Sequence, residues 1–242
     1  MNRHPSIEQR RRVRLFLSLV FLLGAAGIPS APVRANVPPT PPGQPPTGDG
    51  GAAAGYPAVV ATRHGSRPTG YWLFEPASEE GDAAKPIASA QPLVIFLHGF
   101  TAVDPKTYRA WIDHIVRRGA VVVYPDYQTL NPFTLRPDEY LGNAMRAVRD
   151  VLGVAAEPGH TPVDPARVGV VGHSVGGILT ADYAAEAGAS GLPVPSVMMP
   201  VTPGGCRGCR GCGQGPDFLG VPISDLSTIP ETVRAIVVVG AD

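Results

Sequence analysis

The pentapeptide Gly172-His173-Ser174-Val175-Gly176 constrains this chain more than any other stretch, because of what stands on either side of it. Arg167 to Val171 is a short apolar run of the kind that forms a strand buried on both faces, and Ile178 to Ala187 has the composition of a helix. Almost no chain separates them, so strand must become helix in a very tight turn at Ser174. Such a turn strains the serine backbone and brings strand and helix so close that the neighbouring positions must lack bulk. Gly172, Gly176 and Gly177 supply that missing bulk. The turn holds the Ser174 hydroxyl clear of the sheet and aims the first amides of the helix at the space above it, where negative charge is stabilised.

A motif of this length has little meaning alone in a chain with 29 glycines, so its context decides. Some distance upstream, Pro92 to Leu97 is a second continuous apolar run, and it ends in His98-Gly99-Phe100-Thr101. His98 and His173 each flank a glycine in a tight turn, positions that shape a loop rather than transfer protons. Between the two motifs, Asp104 to Arg118 places Tyr108, Trp111, Ile112 and Ile115 on one helical face, and Gly119 ends that helix before the strand Ala120–Tyr124. Pro137 to Leu152 reads as a second helix, and Asp164-Pro165 as the approach to the elbow strand. Val194–Val201 and Val233–Val239 read as further strands. Upstream, Ala58–His64 and Thr69–Phe74 read as an antiparallel hairpin. Strands and helices alternating in this way predict an α/β fold: a mostly parallel, doubly wound sheet covered on both faces.

Residues 57–242 resemble the α/β-hydrolase superfamily. Within it, they are similar to the branch holding dienelactone hydrolases, chlorophyllase-like enzymes and bacterial cutinases or polyester hydrolases. The loop Gly99-Phe100-Thr101-Ala102 looks like the Gly-Tyr-Thr-Ala of the polyester hydrolases, and Val170 to Gly177 is similar to their elbow. The resemblance implies Ser174 as nucleophile and the amides of Phe100 and Val175 as the two oxyanion donors. It implies a small-molecule or lipid-like ester substrate, and no metal or organic cofactor. Those enzymes place aromatic residues beside the serine, whereas this chain has His173 and Val175, so a polymer substrate is not implied.

The superfamily places its acid after the seventh strand and its histidine after the eighth. All six histidines here, at positions 4, 64, 98, 114, 160 and 173, precede Ser174. The expectation is a hydrolase domain incomplete at its C-terminus, lacking the last strand and helix, and inactive as it stands. Asp242 is where the acid loop begins, and is either the acid or its neighbour. Asp217 is the alternative acid. Asp126 reads as structural, in a loop after the fourth strand, and Asp182 as part of the solvated face of the elbow helix.

The leading residues concern address. Arg10, Arg11, Arg12 and Arg14 precede the 14-residue apolar stretch Leu15–Ile28, and Val33-Arg34-Ala35 has small residues where signal peptidase reads. The stretch is too short to span a bilayer comfortably. Residues 1–35 therefore read as a cleavable signal peptide rather than a membrane anchor, directing the protein to the periplasm or outside. Residues 36–56 follow as a linker rich in proline and glycine that cannot bury a core. Residues 1–35 hold six arginines and one glutamate, so cleavage leaves 14 basic and 19 acidic residues and a net charge near −5. No basic patch for nucleic acid is present in the sequence. Cys206, Cys209 and Cys212 form a Cys-x-x-Cys-x-x-Cys run among glycines and arginines. Three thiols without a fourth ligand, in an exported chain, read as a local disulfide rather than a metal cluster.

Ester hydrolysis through an acyl-enzyme on Ser174 is the function these features predict. A non-catalytic exported binding protein or pseudo-enzyme of the same fold is the alternative, and an acyltransferase using the same serine is a third reading.

Overall fold

The structure, a computed structural model, describes residues 43–47, 51–81, 85–204 and 220–240. Contacts divide the chain into Met1–Pro45 and Pro46–Asp242, and every element below belongs to the second unit. Its strands are β1 (Ala58–His64), β2 (Tyr71–Ala77), β3 (Gln91–Leu97), β4 (Val121–Pro125), β5 (Val163–His173), β6 (Val197–Val201) and β7 (Arg234–Ala235). Its helices are α1 (Arg109–Arg117), α2 (Tyr140–Val154) and α3 (Val175–Glu186).

The apolar runs Leu93–Leu97, Val121–Tyr124 and Val168–Val171 lie in strands because consecutive residues can be buried on opposite faces of one sheet. Leu73, Ile95, Val121, Val123 and Val170 belong to a core completed by α2 and α3, through Ala144, Val148, Val151, Leu179 and Tyr183. Their neighbours Phe74, Phe96, Val122, Tyr124 and Val171 belong to a second core completed by Ile112 and Val116 of α1. The sheet is thus sandwiched between α1 on one face and α2 with α3 on the other. Strand order is β1-β2-β4-β3-β5-β6-β7, with β1, β2 and β4 antiparallel in sequence and the pairs β4–β3, β3–β5, β5–β6 and β6–β7 parallel. Parallel pairs need crossovers, and α1 lies between β3 and β4, α2 between β4 and β5, and α3 between β5 and β6.

Several boundaries differ from those read in the sequence, among them the following three. The first turn before α1 is a 3₁₀ helix, Pro105–Tyr108, capped by the Asp104 carboxylate accepting from the Lys106 amide. Strand β5 begins at Val163 and keeps Asp164-Pro165 inside it, through a break in register opposite Pro92/Leu93. Proline tolerates this because a bulge needs no ladder donor there. The last strand is regular only over Arg234–Ala235, but its backbone bonds to the β6 segment continue from Ile236 to Met198 and from Val238 to Pro200, with a bridge between Val201 and Val238. Ile236, Val237 and Val239 are more than half exposed. Within the segment read as linker, Gly55 and Tyr56 donate their amides to the Arg117 carbonyl at the end of α1.

Candidate active site

Parallel strands β3 and β5 run side by side as far as the pair Leu97↔Gly172, and the site lies where they end. Ser174 has φ 55° and ψ −118°, a left-handed conformation that a serine adopts only when its surroundings impose it. Three ties do so. The Ser174 amide donates to the Val201 carbonyl at 3.0 Å, and its own carbonyl accepts from Gly177 at 2.9 Å and Gly204 at 3.1 Å. The glycines of the elbow are required by contact. A Cβ at Gly172 would lie 2.1 Å from the Gly176 oxygen, and one at Gly177 would lie 2.9 Å from the Pro203 Cα.

The loop after β3 is clamped by side chains from four directions. Tyr127 donates its hydroxyl to the His98 carbonyl, and Tyr124 donates to the Ala102 carbonyl. The Thr101 amide, on a residue at φ 64°, donates to Gln128 Oε1 at 3.1 Å, and the Gly99 amide donates to the Tyr108 hydroxyl at 3.0 Å. Among the described residues the amides of Phe100 and Val175 have no partner, Val175 being the first residue of α3 with a donor beyond reach of the helix ladder. The elbow and this loop are in contact: a Cβ on Gly99 would sit 3.6 Å from the Ser174 Cβ.

His98 is fully buried between the rings of Tyr127 and Tyr124, with its nitrogens 2.7 Å from the Gly99 oxygen and 3.1 Å from the Asp126 oxygen. Burial pushes its pKa down to about 4, so at neutral pH it is an uncharged brace between β3 and β4. His173 is bonded through Nδ1 to the Tyr108 hydroxyl at 2.9 Å. Among the described residues, the Ser174 hydroxyl has no hydrogen bond to any histidine. Neither is any group of three His, Cys, Asp or Glu side chains there placed to hold a metal. Asp126 is buried, paired with Arg63, and 4.0 Å from Arg67. Asp242, Asp217, Cys206, Cys209 and Cys212 lie outside the described residues, as do residues 1–42.

Asp182 corrects the sequence reading. It is 1% exposed rather than on a solvated helix face, and its Oδ1 accepts from the Ser224 amide at 2.8 Å while Oδ2 has no partner among the described residues. Helical periodicity misjudged it because the segment from Gly220 to Ser224 packs over α3, and α3 is apolar on nearly every side. Burial, the largest cause, pushes its pKa up to about 6. A carboxyl whose pKa rises on folding stabilises the fold below its unfolded pKa and loses that contribution as pH rises through the folded value. Asn at this position keeps the acceptor and never ionises. The stability of Asp182→Asn relative to the unsubstituted protein should therefore improve by about 3 kcal/mol from pH 4 to pH 8, for a shift of about two pH units. Urea unfolding at the two pH values measures this, and a pH-independent difference would refute the assignment.

The residues missed in the sequence are the clamps. Gln128, Tyr124 and Tyr127 come from β4 and the loop after it, and Tyr108 from the turn before α1. Nothing local marks them, since their partners lie up to 65 positions away.

Comparison with known proteins matches the same region. Residues 94–212 match a family model described as alpha/beta hydrolase fold. No curated protein matches the chain. Solved structures similar to it include a thermostable esterase from Pseudomonas putida, at 26% identity over 63% of this chain and 46% of that one, with a TM-score of 0.46. Esterase B from Lactobacillus rhamnosis is similar at 18% identity over 61% of this chain and 50% of that one, TM-score 0.46. A bacterial heroin esterase is similar at 20% identity over 60% and 44%, TM-score 0.45. The chain thus spans half or less of the length of these esterases. With its strand order, its strained serine between β5 and α3 and the matched family model, the chain has the α/β-hydrolase fold.

Proposed function

We propose that this protein is an exported serine hydrolase that cleaves carboxylic esters through an acyl-enzyme. The observation that carries this reading is the meeting of a strained Ser174 with two unpartnered amides, Phe100 and Val175, at the ends of adjacent strands. Ser174 Oγ attacks the ester carbonyl carbon as its proton passes to a base, and the carbonyl oxygen gains negative charge facing the two amides. Collapse expels the alcohol, which takes that proton, and water then releases the acid by the same steps in reverse order. This chemistry calls on no metal or organic cofactor.

No described histidine is hydrogen-bonded to Ser174: His98 is buried against the Gly99 and Asp126 carbonyls, His173 is engaged with Tyr108, His64 with Thr62 and His160 with Glu75. The reading assigns the base to a histidine outside residues 1–242, oriented by Asp242 or a close neighbour. The test compares residues 36–242 with a version continued along the natural reading frame. The longer protein is expected to hydrolyse short p-nitrophenyl esters and to react with a fluorophosphonate, the adduct mapping to the Ser174 peptide by mass spectrometry. A folded longer protein that is never labelled favours the non-catalytic binding reading. Equal activity from residues 36–242 would show that the base lies within them.

Export belongs to the same proposal and rests on the Arg10–Ala35 pattern. Expressed with its own leader in a bacterial host, the protein should be found outside the cytoplasm with Asn36 as its amino terminus. An uncleaved species in the inner membrane would contradict it.

A further inference from the structure

The parallel ladder between β3 and β5 ends at Leu97↔Gly172, yet both chains continue, one into the loop bearing the Phe100 amide and the other into the elbow bearing Val175. No backbone bond between them is found beyond that rung among the described residues. One side-chain oxygen bridges the gap. The Tyr108 hydroxyl accepts the Gly99 amide at 3.0 Å and is bonded to His173 Nδ1 at 2.9 Å. The phenol accepts from Gly99, and its second bond to His173 Nδ1 closes the bridge whichever of the two carries the shared proton.

The tie is stiff at both ends. The Tyr108 ring is held against Phe96 at 5.1 Å and edge-on to His173 at 5.9 Å between centroids. A Cβ at Gly99 would come within 3.1 Å of both the Tyr108 oxygen and His173 Nδ1, so Gly99 leaves this junction room to close. Gly99 immediately precedes Phe100, and His173 stands two residues before Val175. Among the described residues this hydroxyl is the hydrogen-bonded link that joins the loop directly to the elbow, beside the clamps that Tyr124, Tyr127 and Gln128 place on the loop alone.

We propose that Tyr108 is a positioning residue for the reaction at Ser174, setting the distance between the Phe100 and Val175 amides. The inference rests on the serine-hydrolase reading and goes beyond it, because Tyr108 acts through Gly99 and His173 and has no hydrogen bond to Ser174 among the described residues. Donors to an oxyanion act only when held in place before charge develops, and a misplacement of about 1 Å can cost about a hundredfold in rate.

Tyr108→Phe removes the oxygen and keeps the ring. In the protein carrying its full reading frame, kcat for a p-nitrophenyl ester should fall roughly ten- to a hundredfold while KM changes less than about threefold. Affinity for an alkyl boronate, which forms a tetrahedral adduct on the serine, should fall by the same factor, and affinity for the unreactive amide analogue of the ester should not. A variant that merely loosened the fold would weaken both ligands. His173→Leu breaks the bridge from the other side and should lose boronate affinity similarly, while His173→Asn, whose Oδ1 can take the place of Nδ1, should recover most of it. If Tyr108→Phe melts below the assay temperature, the two His173 variants decide the matter. Unchanged boronate affinity in Tyr108→Phe and His173→Leu overturns the proposal while leaving Ser174 as nucleophile. If fluorophosphonate labelling of the unsubstituted protein persists in Ser174→Ala, the serine reading fails instead, and the proposal falls with it.

Discussion

Ser174→Ala in the protein carrying its full reading frame should lower ester hydrolysis by about a millionfold and abolish fluorophosphonate labelling, with the melting temperature kept or raised. The size of the loss follows from the chemistry. Without Oγ there is no acyl-enzyme, and what is left is the residual help that the Phe100 and Val175 amides give to direct attack by water. That stability should not fall has its own cause. Ser174 is held at φ 55° whatever its side chain, and its hydroxyl makes no hydrogen bond among the described residues, so its removal leaves no partner stranded. The measurement is kcat/KM together with a melting curve. A variant retaining a tenth of the activity would place the nucleophile elsewhere.

Gly176→Ala should be the most damaging single methyl group in the molecule. A Cβ there would lie 2.0 Å from the Leu97 carbonyl oxygen, 2.4 Å from its carbon and 2.6 Å from the His98 oxygen. All three are backbone atoms at the end of β3, so no rotamer change relieves the clash. Helix α3 and strand β3 would have to part by about an ångström, which costs about 3 kcal/mol or more in a close-packed core. For a domain of this size that corresponds to a fall in melting temperature of roughly 6–12 °C. The same movement pulls the Val175 amide away from that of Phe100, so activity should fall further than stability. Gly142→Ala is the matched control. It sits in α2 with nothing within 4 Å of the added carbon, and should stabilise the protein by up to about 1 kcal/mol. A Gly176→Ala protein that melts with the unsubstituted one would mean that α3 does not lie as close to β3 as described.

The sequence by itself determined the elements and the elbow, because both depend on short-range rules. Apolar runs such as Pro92–Leu97 and Ala120–Tyr124 have few ways to be buried other than as strands of a covered sheet. The glycines around Ser174 announce a close approach that any other residue would block. It also predicted a mostly parallel sheet, as far as alternation and crossover rules reach. Boundaries set by distant partners were beyond it. The seventh strand is regular only at Arg234–Ala235, though its amides go on pairing with the β6 segment as far as Val238. Asp182 lay on what reads as a solvated helical face until Gly220–Ser224 folded over it. What only the tertiary structure decided is how the anion-binding loop is held. Tyr108 reaches it from the turn before α1, and Tyr124, Tyr127 and Gln128 from β4 and the loop after it, while among the described residues the amides of Phe100 and Val175 are left without a partner. A hydrogen bond across 65 residues has no period and no local signature. It exists only once the sheet has brought its two ends together.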